Sequence, residues 1–233
     1  MKKAGLAVVL GLVLLELMLL TAPAGAADGE LRDLTGFNAV SVGGGIDLEV
    51  RQGPAFRVEV TAPDGESANV VTEVRNSTLF IGTENGFFRF RSGYSVAVTL
   101  PELVSLSVGG GTDADLLGPF TGDSLEVKAS GGSDVNVDVS VETLATSASG
   151  GSDLRMAGTA GRLRVSASGG SDVDAAGLDA RAAEVSASGG SDVRIQVSDS
   201  LVAQASGGSD IVYAGDPATK TVNSSGGSDV KAR

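Results

Sequence analysis

The sequence has no cysteine, no histidine and no tryptophan, and only seven Phe and two Tyr in 233 residues. Each absence removes a class of chemistry. Without Cys there is no disulfide framework, no thiol nucleophile and no Cys-bound zinc or iron–sulfur cluster. Without His there is no Ser-His-Asp triad and no imidazole metal ligand. Basic residues are scarce as well: 17 Lys and Arg face 29 Asp and Glu, a formal net charge of −12. No nucleic-acid partner is expected, because neutralising phosphates takes Lys and Arg.

Long apolar runs occur in one place only. Lys2 and Lys3 precede a nearly unbroken apolar stretch from Ala4 to Leu20, and Ala24-Gly25-Ala26 is a small-x-small cleavage site. Residues 1–26 therefore read as a signal peptide, with the mature chain expected to begin at Ala27. Glu16 inside the run makes retention as a membrane anchor costly. No membrane span is expected after cleavage. The product is expected to be exported: periplasmic, secreted or associated with the cell surface. Residues 27–233 form one expected domain.

What the sequence has in quantity is glycine, 34 residues, and much of it is periodic. The string Ser-Gly-Gly-Ser-Asp occurs six times, ending at Asp134, Asp153, Asp172, Asp192, Asp210 and Asp229. Looser copies are Gly43-Gly44-Gly45-Ile46-Asp47 and Gly109-Gly110-Gly111-Thr112-Asp113. Apolar residues alternate with polar ones on both sides of each string. Leu125, Val127 and Ala129 precede the first, and Val135 and Val137 follow it. A period of two around a glycine pair predicts strand, turn, strand. No stretch of residues 27–233 carries a 3.6-residue apolar period, so little helix is expected.

A unit of about 19 residues with two or three short strands has too little apolar surface to bury alone. Stacking in register buries a continuous core, one rung of about 4.8 Å per unit. The sequence predicts an all-β parallel solenoid of ~19-residue rungs. It is regular over 121–233 and less regular in the first coils over 28–120. Lys220 occupies an inward position that earlier units fill with Leu or Ala, which marks the last rung as an edge blunted by charge. The alternative is an antiparallel meander or barrel with each glycine pair as a hairpin turn. Near-identical turns favour stacking, because a solenoid sets equivalent residues in columns. In the first half, Val70 to Ile81 reads as a hairpin turning at Arg75-Asn76-Ser77, and Phe56–Val60 and Tyr94–Leu100 read as strands.

Three groups of residues are candidates for binding; one is the pair of serine columns, Ser130 to Ser225 and Ser133 to Ser228, read as small turn residues in preference to a polar strip for a sugar chain. In-register stacking turns Asp134, Asp153, Asp172, Asp192, Asp210 and Asp229 into a column. Like charges about 4.8 Å apart repel by about 0.9 kcal/mol in bulk water and by several times that nearer the protein. Calcium would relieve this through hard oxygen ligands; otherwise each Asp accepts turn N–H groups and is solvated. No other cofactor is expected. Phe88, Arg89, Phe90 and Arg91, with Tyr94, form the densest aromatic and cationic cluster, suited to a carbohydrate, lipid or protein contact or to an ordinary cap on the first coil.

The opening Phe37-Asn38-Ala39-Val40-Ser41-Val42, the strand Leu79-Phe80-Ile81, Val96-Ala97-Val98-Thr99-Leu100-Pro101, the serial Ser-Gly-Gly-Ser-Asp units and Tyr213-Ala214-Gly215-Asp216-Pro217 resemble the bacterial GIN-domain family. This is a family of auto-transporter adhesin heads of unassigned function. The resemblance spans about residues 36–231. It implies an exported right-handed parallel β-helix with no catalytic residues. The expectation is a non-enzymatic binding or scaffolding protein of the cell envelope, with an extracellular polysaccharide or an envelope protein as partner. Two alternatives are a polysaccharide lyase or hydrolase on a β-helix, and a calcium-stabilised structural rod. The first needs convergent carboxylates or a paired base, whereas the acidic residues here form a regular column.

Overall fold

A computed structural model describes residues 29–63, 66–83 and 93–233. The expected signal peptide, 1–26, lies outside the described residues. The strands in chain order are β1 (Glu30–Arg32), β2 (Ala39–Val42), β3 (Asp47–Gln52), β4 (Arg57–Thr61), β5 (Val70–Arg75) and β6 (Thr78–Thr83). Then follow β7 (Ser95–Leu100), β8 (Ser105–Gly109), β9 (Asp113–Leu116), β10 (Phe120–Ser130), β11 (Asp134–Ser149) and β12 (Asp153–Ser168). The last are β13 (Asp172–Ser188), β14 (Asp192–Ser206), β15 (Asp210–Ala214), β16 (Thr219–Ser224) and β17 (Asp229–Ala232). One 3-10 turn, Ser67–Asn69, is the only helical element among the described residues.

The fold is a β-solenoid. β10 to β14 pair in parallel with their successors, and Asp134 stands opposite Asp153, Asp153 opposite Asp172, and Asp172 opposite Asp192. This excludes the antiparallel meander or barrel for the repeat region. Hairpin turns at each glycine pair would reverse every second strand, whereas here each unit returns to the same side and runs in the same direction. Antiparallel pairs are confined to β1–β4, β4–β7 and β5–β6 at the other end.

Each unit turns two corners. At the first, both glycines adopt positive φ, 69° and 74° at Gly150 and Gly151, a region open to Gly and costly for other residues. At the second, the strand stays continuous: β11 runs 16 residues from Asp134 to Ser149. Its inward residues shift phase there, from Val135, Val137, Val139 and Val141 to Leu144, Thr146 and Ala148. Two short strands per unit thus appear as one long bent strand. Inward residues stack into columns such as Val135–Leu154–Val173–Val193–Ile211, all buried. Burying each Val, Leu or Ile contributes about 1.5–3 kcal/mol, and stacking supplies partners that one rung lacks.

The spacing irregularity sits on one side of the rung. From each inward Leu position to the next Asp (Leu144 to Asp153, Ala183 to Asp192, Leu201 to Asp210) the count is constant, while the Asp-to-Leu half absorbs insertion and deletion. The added residue of β13 makes a bulge: Arg155 pairs with Asp174 but Ala157 with Gly177.

The first coils are not stacked in chain order. β2 lies between β6 and β8, and β3 between β7 and β9, so the β6/β7 rung sits outside the β2/β3 rung and the chain then crosses back to β8. Outside β6/β7, the antiparallel strands β5, β4 and β1 cover the start of the stack. The β5–β6 hairpin turns at Asn76 and Ser77, both at positive φ (49° and 60°), the conformation of a two-residue primed turn.

Candidate functional site

The repeated corner is the most elaborated feature of the surface. Its second serine is buried. The hydroxyls of Ser133, Ser152, Ser171, Ser191 and Ser209 each donate to the carbonyl three residues back, at 2.9 Å. Most also accept a backbone N–H from the neighbouring rung, as when Ser133 N–H donates to Ser152 Oγ at 3.3 Å. This serine column is a structural ladder. The first serine of each string differs: Ser130, Ser149, Ser168, Ser188 and Ser206 stand at the surface or half-buried.

Asp113, Asp134, Asp153, Asp172, Asp192, Asp210 and Asp229 are brought into one row, neighbour opposite neighbour. Two of these carboxylates have a cation of the next outward column beside them. Arg155 approaches Asp153 at 3.9 Å and Lys231 approaches Asp210 at 4.0 Å. One turn amide joins in, Asp229 N–H to Asp210 Oδ1 at 3.3 Å. Each rung supplies one carboxylate to the row. Among the described residues no group of three or more Asp or Glu is gathered closely enough to hold a metal ion.

The row becomes most acidic at its first rungs, where Asp47 and Glu49 precede Asp113 and Asp115. Desolvation, then the charges of Asp113 and Asp115, raise the Asp47 carboxyl above its ordinary value. Asn136 offsets part of this by donating to Asp115 Oδ1 at 2.7 Å.

Of the aromatic and cationic candidates, Phe88, Arg89, Phe90 and Arg91 lie outside the described residues. Tyr94 is described and is buried. Its hydroxyl donates to the Glu66 carboxylate, and its carbonyl accepts Asp47 N–H at 3.0 Å. It anchors the start of β7 to the segment before β5.

The register also sets the serines of the repeat on their own face of the solenoid. The Asp-bearing face is charged. The face leading into the glycine corner carries an outward column Ser107–Lys128–Ser147–Ser166–Ser186–Gln204. Beside it runs the Ser130, Ser149, Ser168, Ser188 and Ser206 column. The result is an array of hydroxyls and amides that includes Lys128 and is bordered by the column Glu126–Ala145–Arg164–Glu184, in which Arg164 pairs with Glu184. Ser-Ala-Ser triplets starting at Ser147, Ser166 and Ser186, before three of the six repeated glycine pairs, were its signal in the sequence.

Comparison with known proteins gives a consistent picture. The family profile described as "Putative auto-transporter adhesin, head GIN domain" matches residues 36–217. No curated protein matches significantly. Among solved structures, "a putative adhesin" from Bacteroides fragilis NCTC 9343 superposes with a TM-score of 0.79 at 22% identity, covering 88% of this chain and 96% of that one. A "Putative lipid binding protein" from Parabacteroides distasonis ATCC 8503 superposes with a TM-score of 0.70 at 20% identity, covering 90% and 98%. "A putative adhesin" from Parabacteroides merdae ATCC 43184 gives 0.68 at 20% identity, covering 88% and 95%. At these identities the likeness is one of fold.

Proposed function

The chain belongs to the GIN-domain family of auto-transporter adhesin heads, and from that premise we propose that it is an exported, non-catalytic protein that binds an extended ligand at the cell envelope. The ligand is a polysaccharide lying along the hydroxyl-bearing face. One observation carries this reading: the outward Ser column from Ser147 through Ser166 to Ser186 is in register with its neighbours. It offers the same donors and acceptors at every rung, about 4.8 Å apart. A repeating surface suits a repeating polymer, because each rung contributes a similar small increment and the increments act together. Ser147, Ser166 and Ser186 are themselves uncharged, which suits a chain of hydroxyls, each of which both donates and accepts.

A catalytic reading has less support. The acidic residues are dispersed one per rung, and the chain has no His or Cys to serve as base or nucleophile.

The test is incubation of the exported protein with a panel of envelope and extracellular polysaccharides, with and without calcium, following both protein retention and polymer length. Retention with intact polymer is expected, and it should weaken when Ser147, Ser166 and Ser186 are replaced together by Glu. Shortened polymer would overturn the non-catalytic reading. Retention that appears only with calcium would move the binding surface to the Asp row.

A further inference from the structure

The opposite face carries a groove that the repeat alone does not explain. It has a volume of about 400 Å³ and lies where β11, β12 and β13 meet, within the about 300–1,000 Å³ typical of small-ligand sites. The bulge of β13 shapes it. Asp174 Oδ1 accepts Ala176 N–H at 3.1 Å and so holds the extra residue in place. The bulge sets Ala157, Ala176 and Gly177 along the groove. Val137 and Met156 are buried in the core behind it.

Gly177 is informative. Its φ lies outside the positive region that demands glycine. A Cβ there would meet Met156 O at 3.5 Å and Ala157 Cβ at 3.6 Å, which are ordinary contacts. Neither backbone conformation nor crowding requires a glycine at this position. What its missing side chain provides is space.

The rim carries unspent polar capacity. Arg155 has one ionic neighbour, Asp153 at 3.9 Å, which is beyond hydrogen-bond reach. Asp138, on the strand beside it, forms no hydrogen bond or ion pair among the described residues. A strong donor and a strong acceptor thus flank one groove without pairing to each other.

We propose that this groove binds one or two units of a neutral saccharide, adjacent hydroxyls donating to Asp138 and accepting from Arg155. A vicinal diol can engage both, since a hydroxyl both donates and accepts. An acidic sugar is disfavoured by Asp138 and Asp174 together. The proposal rests on the polysaccharide reading above and adds a second, discrete subsite on the Asp-bearing face.

The test follows amide resonances of the full chain, expressed with its leader. It is titrated with neutral gluco-, manno- and xylo-oligosaccharides of two to six units, with oligouronates, and with free alanine as a zwitterion. The amides of Asn136, Ala157 and Gly177 should shift with at least one neutral series and not with oligouronates. Affinity should fall about tenfold or more in Arg155→Ala and in Asp138→Ala, as expected for lost charge-assisted hydrogen bonds. Gly177→Leu should abolish the shifts by filling the groove; if it fails to fold, the two rim variants decide. No response to any neutral series overturns the proposal, as does a response to alanine or oligouronates alone. Shifts confined to the Ser147, Ser166 and Ser186 amides also overturn it while leaving the polymer-binding reading standing. Polymer retention unchanged in the serine variant, with groove shifts intact, would do the reverse.

Discussion

The amide of Ser133 donates to the hydroxyl of Ser152, one rung away, at 3.3 Å. The Ser152 hydroxyl in turn donates to the Ser149 carbonyl at 2.9 Å. One buried side chain therefore accepts from one backbone amide of the corner and donates to a carbonyl that also accepts Gly131 N–H at 3.3 Å. Ser152→Ala should destabilise the fold by about 1–3 kcal/mol, because buried polar groups lose their partner. Ser149→Ala, which removes a half-buried hydroxyl, should stay within about 0.5 kcal/mol. Urea unfolding of the two variants separates them. Equal effects would show that the column is no ladder.

The two glycines of a corner differ in what a side chain would meet. A Cβ on Gly150 would lie 3.2 Å from Gly131 N, whereas a Cβ on Gly151 would meet nothing within 4 Å. Both carry positive φ, so either substitution costs about 1–2 kcal/mol of backbone strain. Gly150→Ala should cost more, because the next corner blocks it. Gly158→Ala should be the most damaging of the three, since its Cβ would sit 2.0 Å from Val139 O. The expected order of melting temperatures is Gly151→Ala, then Gly150→Ala, then Gly158→Ala, from highest to lowest.

Much of this was legible in the sequence, for a physical reason. A solenoid places equivalent residues in columns, so its corners repeat almost letter for letter, and alternation around Asp134 or Asp153 reports strand and face together. The hairpin at Asn76-Ser77 was legible through its turn residues. The spatial order of the first coils was not. Nothing in the composition of β2 or β6 states that β2 lies between β6 and β8, because both present the same alternating pattern to their neighbours. Tyr94 stood in the sequence beside an aromatic and cationic run, yet its hydroxyl is bound to Glu66, which is distant enough in the chain that no local pattern links them. The bulge at Ala176 shows in the sequence as a 20-residue spacing between Asp172 and Asp192, and the constant count from Ala183 to Asp192 assigns the added residue to the half after Asp172, but not to a position within it.

Acidity at the first rungs gives a pH dependence with a defined sign. The Asp47 carboxyl is raised above its ordinary value of 3.8 by desolvation and by Asp113 and Asp115. A raised folded-state value means that this group's stabilising contribution is complete below about 3.8 and is lost as pH rises through the folded value. Asp47→Asn, neutral throughout, should therefore be more stable than the parent at pH 7. The margin should be a few tenths of a kcal/mol, since the site is open to solvent and screened. The advantage should vanish near pH 3 and shrink in 1 M salt. Urea midpoints at the two pH values check this, and a less stable variant at pH 7 would reverse the sign.

The far end of the stack is blunted by a cation. Lys220 takes the place of Leu201 one rung earlier, and its Nζ donates to the Tyr213 hydroxyl at 3.0 Å and lies 5.4 Å from that ring's centre. The bond to Tyr213 also raises the Lys220 amine above its ordinary value, so it remains charged at neutral pH. β16 is exposed throughout and pairs with β14 alone among the described residues. An open strand edge of this kind is a template for another chain unless charge opposes pairing. Lys220→Leu restores the residue type of the inner rungs and removes that opposition. The variant should keep the parent's circular dichroism but associate as concentration rises, detected as a mass increase by light scattering. Lys220→Arg should remain like the parent. If Lys220→Leu stays at the parent's mass across the same concentrations, the lysine is a packing partner of Tyr213 and not a guard on the edge.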